Sequence, residues 1–243
     1  MKKILPILSI FALTCVFSSC SKLAAFMPNT YSGNGTVTNE TRNTEPFQAV
    51  ELEGAYDVTV TQGLTTEVKI ETDQNLLAHI TTTVKDGKLI VKSEGNLQPT
   101  KNILVSITSP NYHSIESDGS SDIHGATPIV SDDLKLDLEG SGSYDLGVNV
   151  KKLQSEIEGS GTITLHGISG DHKMSIDGSG DIDADSLTAE TAKIEIEGSG
   201  DASLNVNTRL DASINGSGGV KYRGPVTDVH TDISGSGSVG RTQ

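Results

Sequence analysis

The sequence predicts an all-β chain wound as a parallel β-helix, and three observations carry that expectation. The first is a repeat. LEGSG, IEGSG, IDGSG, IEGSG, INGSG and ISGSG place first glycines at Gly140, Gly159, Gly178, Gly198, Gly216 and Gly235, after a degenerate copy at Gly119. The intervals are 21, 19, 19, 20, 18 and 19 residues, so each copy is one structural unit. About 19 residues is too short for a propeller blade, and the leucine-rich pattern is absent. The second is register. Two residues before the first glycine stand Leu138, Ile157, Ile176, Ile196, Ile214 and Ile233, and two after the second stand Tyr144, Ile163, Ile182, Ala202, Val220 and Val239. Polar residues alternate with them, so like residues stack in ladders between coils about 4.8 Å apart. The third is composition. Aromatics are 4%, Trp is absent and Gly numbers 26, which suits the thin aliphatic layers of a solenoid.

The elements follow in chain order. Met1-Lys2-Lys3 and the apolar run Ile4 to Val16 form a signal-like start, too short to span a bilayer. Phe17-Ser18-Ser19-Cys20 resembles the lipobox of bacterial lipoproteins, which implies lipidation at Cys20 after loss of residues 1–19. An ordinary secretory signal cleaved near Ser19 or Ala24 is the alternative. Removal of Lys2 and Lys3 takes the formal charge from −14 to −16, which argues against nucleic acid as a partner. No cysteine remains free for a disulfide or a metal site. Residues 20–43, rich in Gly, Asn, Ser and Thr, read as a lipidated N-terminus and flexible tether.

Residues 44–116 read as a first β lobe. Val50 and Leu52, Tyr56, Val58 and Val60, Val68 and Ile70, and Ile103, Val105 and Ile107 each alternate on a period of two. Asp86-Gly87 between two such runs signals a hairpin, expected as an excursion from the solenoid. A turn is expected near Gln74–His79, and Leu52-Glu53-Gly54-Ala55-Tyr56 reads as an early copy of the repeat. Residues 117–243 form the repeat lobe. Val148, Val150, Ile168, Leu187, Val206 and Val226 are expected to line its third side.

The glycine ladder, "KYRGP" at Lys221–Pro225 and the upstream "FQAVELEGAYDVTV" closely resemble the GIN domain (DUF2807, auto-transporter adhesin head domain) over roughly residues 44–240. The resemblance implies a right-handed parallel β-helix, of a kind common in Bacteroidota and often carried on lipoproteins. It brings no enzymatic activity, catalytic residue or cofactor with it.

Within the motif, Gly140, Gly142, Gly159, Gly161, Gly178, Gly180, Gly198, Gly200, Gly216 and Gly218 are read as a stacked corner, where Cβ would hinder the backbone. The acidic stripe Glu139, Glu158, Asp177 and Glu197, preceded by Asp118, has two readings. It is a solvated outward face or a cation rail for ions such as Ca²⁺. Carboxylates about 5 Å apart repel by about 0.8 kcal/mol in water and about 3 kcal/mol at an effective dielectric of 20. A second set, Asp181, Asp183, Asp185 and Asp201, could supply the paired carboxylates of a polysaccharide-cleaving enzyme. Aromatic platforms are scarce around it, and the six histidines form no cluster by spacing. Gly-Ser-Gly also lacks the form of a nucleophile elbow. The reading is therefore a non-catalytic envelope lipoprotein, expected at the outer membrane. It would be lipid-anchored, bind a glycan or an envelope protein, and be capable of end-to-end self-association through an uncapped solenoid end.

Overall fold

A computed structural model describes residues 29–242. The signal segment 1–19 and Cys20 lie outside the described residues. The described chain opens with β1 (Thr30–Ser32) and β2 (Val37–Arg42), followed by β3 (Ala49–Gly54), β4 (Asp57–Gln62) and β5 (Glu67–Asp73). A short 3₁₀ turn at Leu77–His79 leads to β6 (Ile80–Lys85), β7 (Lys88–Ser93), β8 (Asn96–Gln98) and β9 (Leu104–Ser109). Then come β10 (Ser114–Gly119), β11 (Asp122–Gly125), β12 (Ile129–Gly140), β13 (Ser143–Gly159), β14 (Thr162–Gly178), β15 (Asp181–Gly198) and β16 (Asp201–Gly216). The last three are β17 (Gly219–Arg223), β18 (Asp228–Gly235) and β19 (Ser238–Arg241). β1 and β8 form a small parallel sheet, and the other seventeen strands form one continuous sheet wound into a parallel solenoid.

Register follows the repeat. β12, β13, β14, β15 and β16 stack in parallel with Gly140, Gly159, Gly178, Gly198 and Gly216 aligned. The column continues upstream, because Gly119 of β10 pairs with Gly140 on one side and with Gly54 of β3 on the other. Residues 44–116 and 117–243 thus share one sheet, and the expected boundary at 116/117 falls inside β10. The ladders two residues before the first glycine and two after the second are buried through Ile214 and Val220. Each buried Ile or Leu contributes about 1.5–3 kcal/mol. A further ladder lies six residues before the first glycine, at Leu134, Leu153, His172, Ala192 and Leu210, all buried. His172 meets the equally buried Ser155 at 3.0 Å (Nε2 to Oγ). Burial pushes the His172 pKa down to about 3, so this imidazole is neutral inside the core.

The N-terminal end is built differently. β3 pairs in parallel with β7, and β4 with β9, on the side opposite β10 and β11. The chain therefore winds one way, returns, and crosses its first coil before climbing through the repeats. The crossing is anchored by fully buried Tyr112, whose hydroxyl lies 3.1 Å from the carbonyls of Thr61 and Ile107. β6 on β7, and β5 on β9, are antiparallel, as is β2 on β5. The hairpin is present, with Asp86 and Gly87 at φ +52° and +75°, the signature of a type I′ turn. Its second strand, β7, is also the layer that covers β3.

Two expectations need correction. Residues 30–42, expected within the flexible tether, form β1 and β2. β2 bonds from Val37 opposite Asp73 to Arg42 opposite Val68, and its side chains mostly face solvent, so no apolar alternation marks it. Ile168, expected inside, is 58% exposed. In that coil Gly167 aligns with buried Val148 and Leu187, and Ser169 with buried Val150 and Ala189. The buried column is thus interrupted at exposed Gly167 and resumed by buried Ser169, and Ile168 falls on the outward parity between them.

Candidate functional site

Three features of the surface could carry function: the glycine corner, the acidic face beside it, and a cleft where the corner is interrupted. At the corner the first glycines from Gly119 to Gly235 adopt φ between +118° and +144°, which side-chain-bearing residues rarely reach. A Cβ on any of them would lie closer than 3.0 Å to the carbonyl oxygen of the glycine one coil below. The second glycines are crowded too. A Cβ on Gly142, Gly200 or Gly218 would strike a carbonyl of the coil below, and on Gly161 or Gly180 a ladder Leu138 or Ile157 side chain. The intervening serines donate their backbone N–H to those glycine carbonyls, at 2.8–3.0 Å from Ser141 to Ser236. A phosphate-binding loop presents free amides; here the serine amides are spent between coils.

The acidic residues before the glycines form one in-register column, Glu53, Asp118, Glu139, Glu158, Asp177 and Glu197, ending at Asn215 and Ser234. Two residues upstream runs a second column that the sequence reading missed: Glu51, Glu116, Asp137, Glu156, then Ser175 and Glu195. Its signal, an acid three residues before the glycine, was present in the repeats. The two columns differ in their counter-charges. In the second, Lys88 bridges Glu51 at 3.1 Å and Glu116 at 2.5 Å, Lys135 bridges Asp137 and Glu156 at 2.9 Å each, and Lys193 holds Glu195 at 2.6 Å. Lys88 and Lys135 are held above their usual pKa by hydrogen bonds to Glu116 and Asp137, respectively. In the first column, Lys92 pairs with Glu53 at its end. Desolvation, then the charges of Asp137, Glu158, Asp118 and Glu116, raise the Glu139 pKa. No three His, Cys, Asp or Glu side chains among the described residues converge as a metal site.

The second aspartate set is tied up in local structure. Asp181 accepts the backbone N–H of Asp201 at 3.0 Å, and Asp183 that of Asp185 at 3.2 Å. Arg223 reaches across a coil to the Asp185 carboxylate and carbonyl, both at 2.5 Å. This pin sits where β15 bulges against β16.

The cleft arises from an insertion. Glu53 aligns with Lys92, and Asp57 with Leu104. β3 passes to β4 through a tight corner, whereas β7 passes to β9 with eight more residues. That excursion stands away from the corner column and encloses a cleft of about 500 Å³. Leu97, Pro99 and Ile103 line it together with Asn96, Asn102, Asp57, Ser120 and Asp122. The excursion is fastened at several points. β8 pairs with β1, and Asn96 donates its N–H to the Asn29 carbonyl at 2.8 Å. The Tyr31 ring stacks on His79 with centroids 3.6 Å apart. Buried Asp73 accepts N–H bonds from Gly35 and Thr100 at 2.7 Å each, and the Thr100 hydroxyl at 3.0 Å. Those bonds, from Thr100 first, hold the Asp73 pKa below the usual aspartate value. Beneath the cleft, the Tyr56 hydroxyl meets Ser93 Oγ at 2.7 Å, and burial pushes its pKa to about 12.

Among the described residues no helix is long and apolar enough to cross a membrane. Comparisons with known proteins cover most of the chain. A family model described as "Putative auto-transporter adhesin, head GIN domain" matches residues 46–226. A "putative adhesin" from Bacteroides fragilis NCTC 9343 superposes with a TM-score of 0.84 at 24% identity, covering 87% of this chain and 100% of that one. A "putative lipid binding protein" from Parabacteroides distasonis ATCC 8503 does so at 0.77 and 23%, covering 88% and 100%. A "putative adhesin" from Parabacteroides merdae ATCC 43184 gives 0.72 and 25%, covering 88% and 99%. No curated protein matches the sequence.

Proposed function

The chain belongs to the family described as "Putative auto-transporter adhesin, head GIN domain", and from that premise we propose that it is a non-catalytic binding module of the bacterial cell envelope. The observation that supports this reading best is the in-register outward face. With the ladders buried and the corner amides spent between coils, the repeats offer a rigid ribbon of stacked polar side chains. Such a ribbon suits recognition of an extended glycan or of an envelope protein, with small contributions spread over many contacts. In this reading Cys20 carries the lipid that anchors the chain at the outer membrane. The C-terminal coil, where Ile233 is 41% exposed, is the end available for self-association.

The polysaccharide-cleaving alternative draws no support from the geometry. Asp181, Asp183 and Asp185 are engaged by backbone amides and by Arg223, and none of them lines the cleft. The test combines two assays of the lipidated protein. Protease treatment of intact cells should digest it, and the purified chain should retain glycans or envelope proteins without changing them. Release of oligosaccharide that is lost on Asp181→Asn would overturn the non-catalytic reading. Full protease protection together with absence of any ligand would overturn the adhesive one.

A further inference from the structure

At the interrupted corner this solenoid departs from its own rule, and the departure makes a cleft. Along the repeats, strand follows strand through two tightly packed glycines with no room for a Cβ. Between β7 and β9 the same turn is replaced by an excursion eight residues longer, and the floor of the resulting cleft is the corner itself, Gly54-Ala55-Tyr56 and Gly119-Ser120. Glycine and alanine there leave the backbone approachable. The volume, about 500 Å³, falls in the range of small-molecule sites.

The lining selects a ligand class. Leu97, Pro99 and Ile103 give an apolar wall, while Asn96 and Asn102 supply carboxamides that both donate and accept. Among the described residues Asp57 and Asp122 are the charged ones on the surface of the cleft, and no described Lys, Arg or His lines it. Two carboxylates with no cation beside them among the described lining residues disfavour phosphate, sulfate or uronate. They favour hydroxyl donors, since a hydrogen bond to a carboxylate is stronger than one between neutral groups. A ligand with one C–H face and several hydroxyls at its edge meets all of these groups. We propose that this cleft binds a short neutral saccharide, which would make it the glycan-reading site of the binding module proposed above. The excursion is held by β1, by Asp73 on Thr100 and by the Asn29 carbonyl before any ligand arrives. Pre-organisation of that kind lowers the ordering cost of binding.

The proposal rests on the binding-module reading, and one experiment separates the two. The purified chain is titrated calorimetrically with free neutral mono- and oligosaccharides and with the matching uronic acids, and is also applied to immobilised polysaccharides. The wild type should saturate with a neutral saccharide and ignore the uronic acid. Asn96→Ala/Asn102→Ala should weaken that binding about tenfold or more, and Ala55→Trp should abolish it by filling the cleft. Both variants alter solvent-exposed side chains, so their melting temperatures should match the wild type. Glu139→Gln, on the acidic face, should bind as the wild type does. Glycan binding that survives Ala55→Trp overturns the cleft and leaves the binding module standing with its site elsewhere. Equal affinity for the uronic acids overturns the ligand class. Capture of envelope protein with no saccharide bound overturns the saccharide site while keeping the module, and turnover of the polysaccharide overturns both.

Discussion

The N-terminal end and the C-terminal repeats use the same parallel ladders but close them in different ways. In the repeats, from β12 to β16, each coil is held by its neighbours through aligned glycines, with Ser N–H to Gly carbonyl bonds at every corner. At the N-terminal end the stack is finished by antiparallel strands, a chain crossing under Tyr112 and an excursion clamped by Asp73. At the other end β18 and β19 run out with most residues exposed. Regularity spends the corner backbone between coils, and the hollows along the repeats are more open than the cleft beside the excursion. The cleft with mixed apolar and polar lining sits where the repeat is broken. Binding sites concentrate on loops carried by rigid scaffolds for the same reason.

The first way to break this comparison is in the repeats. Gly178→Val combines forced positive φ with a Cβ driven into the Gly159 carbonyl. It should cost about 3 kcal/mol or more and lower the melting temperature by several degrees. Gly240→Ala, which meets nothing within 4 Å, should be close to neutral. Equal melting temperatures for the two would remove the mechanical role of the corner.

The next effect is nearly as large and lies inside the ladder. His172→Ala leaves a cavity and an unpaired Ser155 hydroxyl, a loss of about 2–4 kcal/mol by chemical denaturation. Ser155→Ala/His172→Leu should recover most of it, because replacing both partners with apolar groups removes the buried polar need. The same histidine sets a pH dependence. Its folded pKa of about 3 lies below the unfolded value near 6.5, so the neutral form is the one the fold accepts. Its contribution is complete above about pH 6.5 and is lost as pH falls toward 3, by at most about 1.4 kcal/mol per pH unit. The double variant should lack that slope.

Asp73 sharpens the comparison from the other end. Its folded pKa is depressed, so its contribution is present above the ordinary aspartate value and disappears as pH falls below about 4. Asp73→Asn should lower the melting temperature and speed hydrogen exchange at Thr100 and Gly35, leaving the repeat amides protected. Uniform acceleration along the whole chain would show that the two ends are not separable. The smallest effect is on the acidic face. Glu139→Gln should stabilise by a few tenths of a kcal/mol at low salt, an increment that vanishes in about 1 M salt because the group is exposed and screened.

Much of the fold was legible because every coil imposes the same geometry on the same position. Leu138, Ile157, Ile176, Ile196 and Ile214 had to be alike, and so did the glycines beneath which no side chain fits. The Asp86-Gly87 turn was equally readable, since two successive positive φ values leave few residue choices. Long-range features were not legible. β2 shows no pattern because its side chains mostly face solvent. Thr100 and Asp73 meet across 27 residues with no local signal. Ile168 misled because Gly167, at φ +112°, takes the register position that buried Val148 and Leu187 hold in the neighbouring coils, which leaves Ile168 on the outward parity. The cleft left only a negative trace, a missing glycine corner between LIVKS and ILVSI.

Hydrogen exchange at the corner serines tests the central claim most directly, namely that Gly-Ser-Gly is architecture and not a ligand loop. The amides of Ser160, Ser179, Ser199 and Ser217 should exchange as slowly as those of Ile157, Ile176 and Ile196 in the adjoining ladder, because each is bonded to the coil below. Exchange near free-peptide rates, slowed only when a ligand is added, would contradict that account and return the six repeated motifs to the list of candidate binding sites.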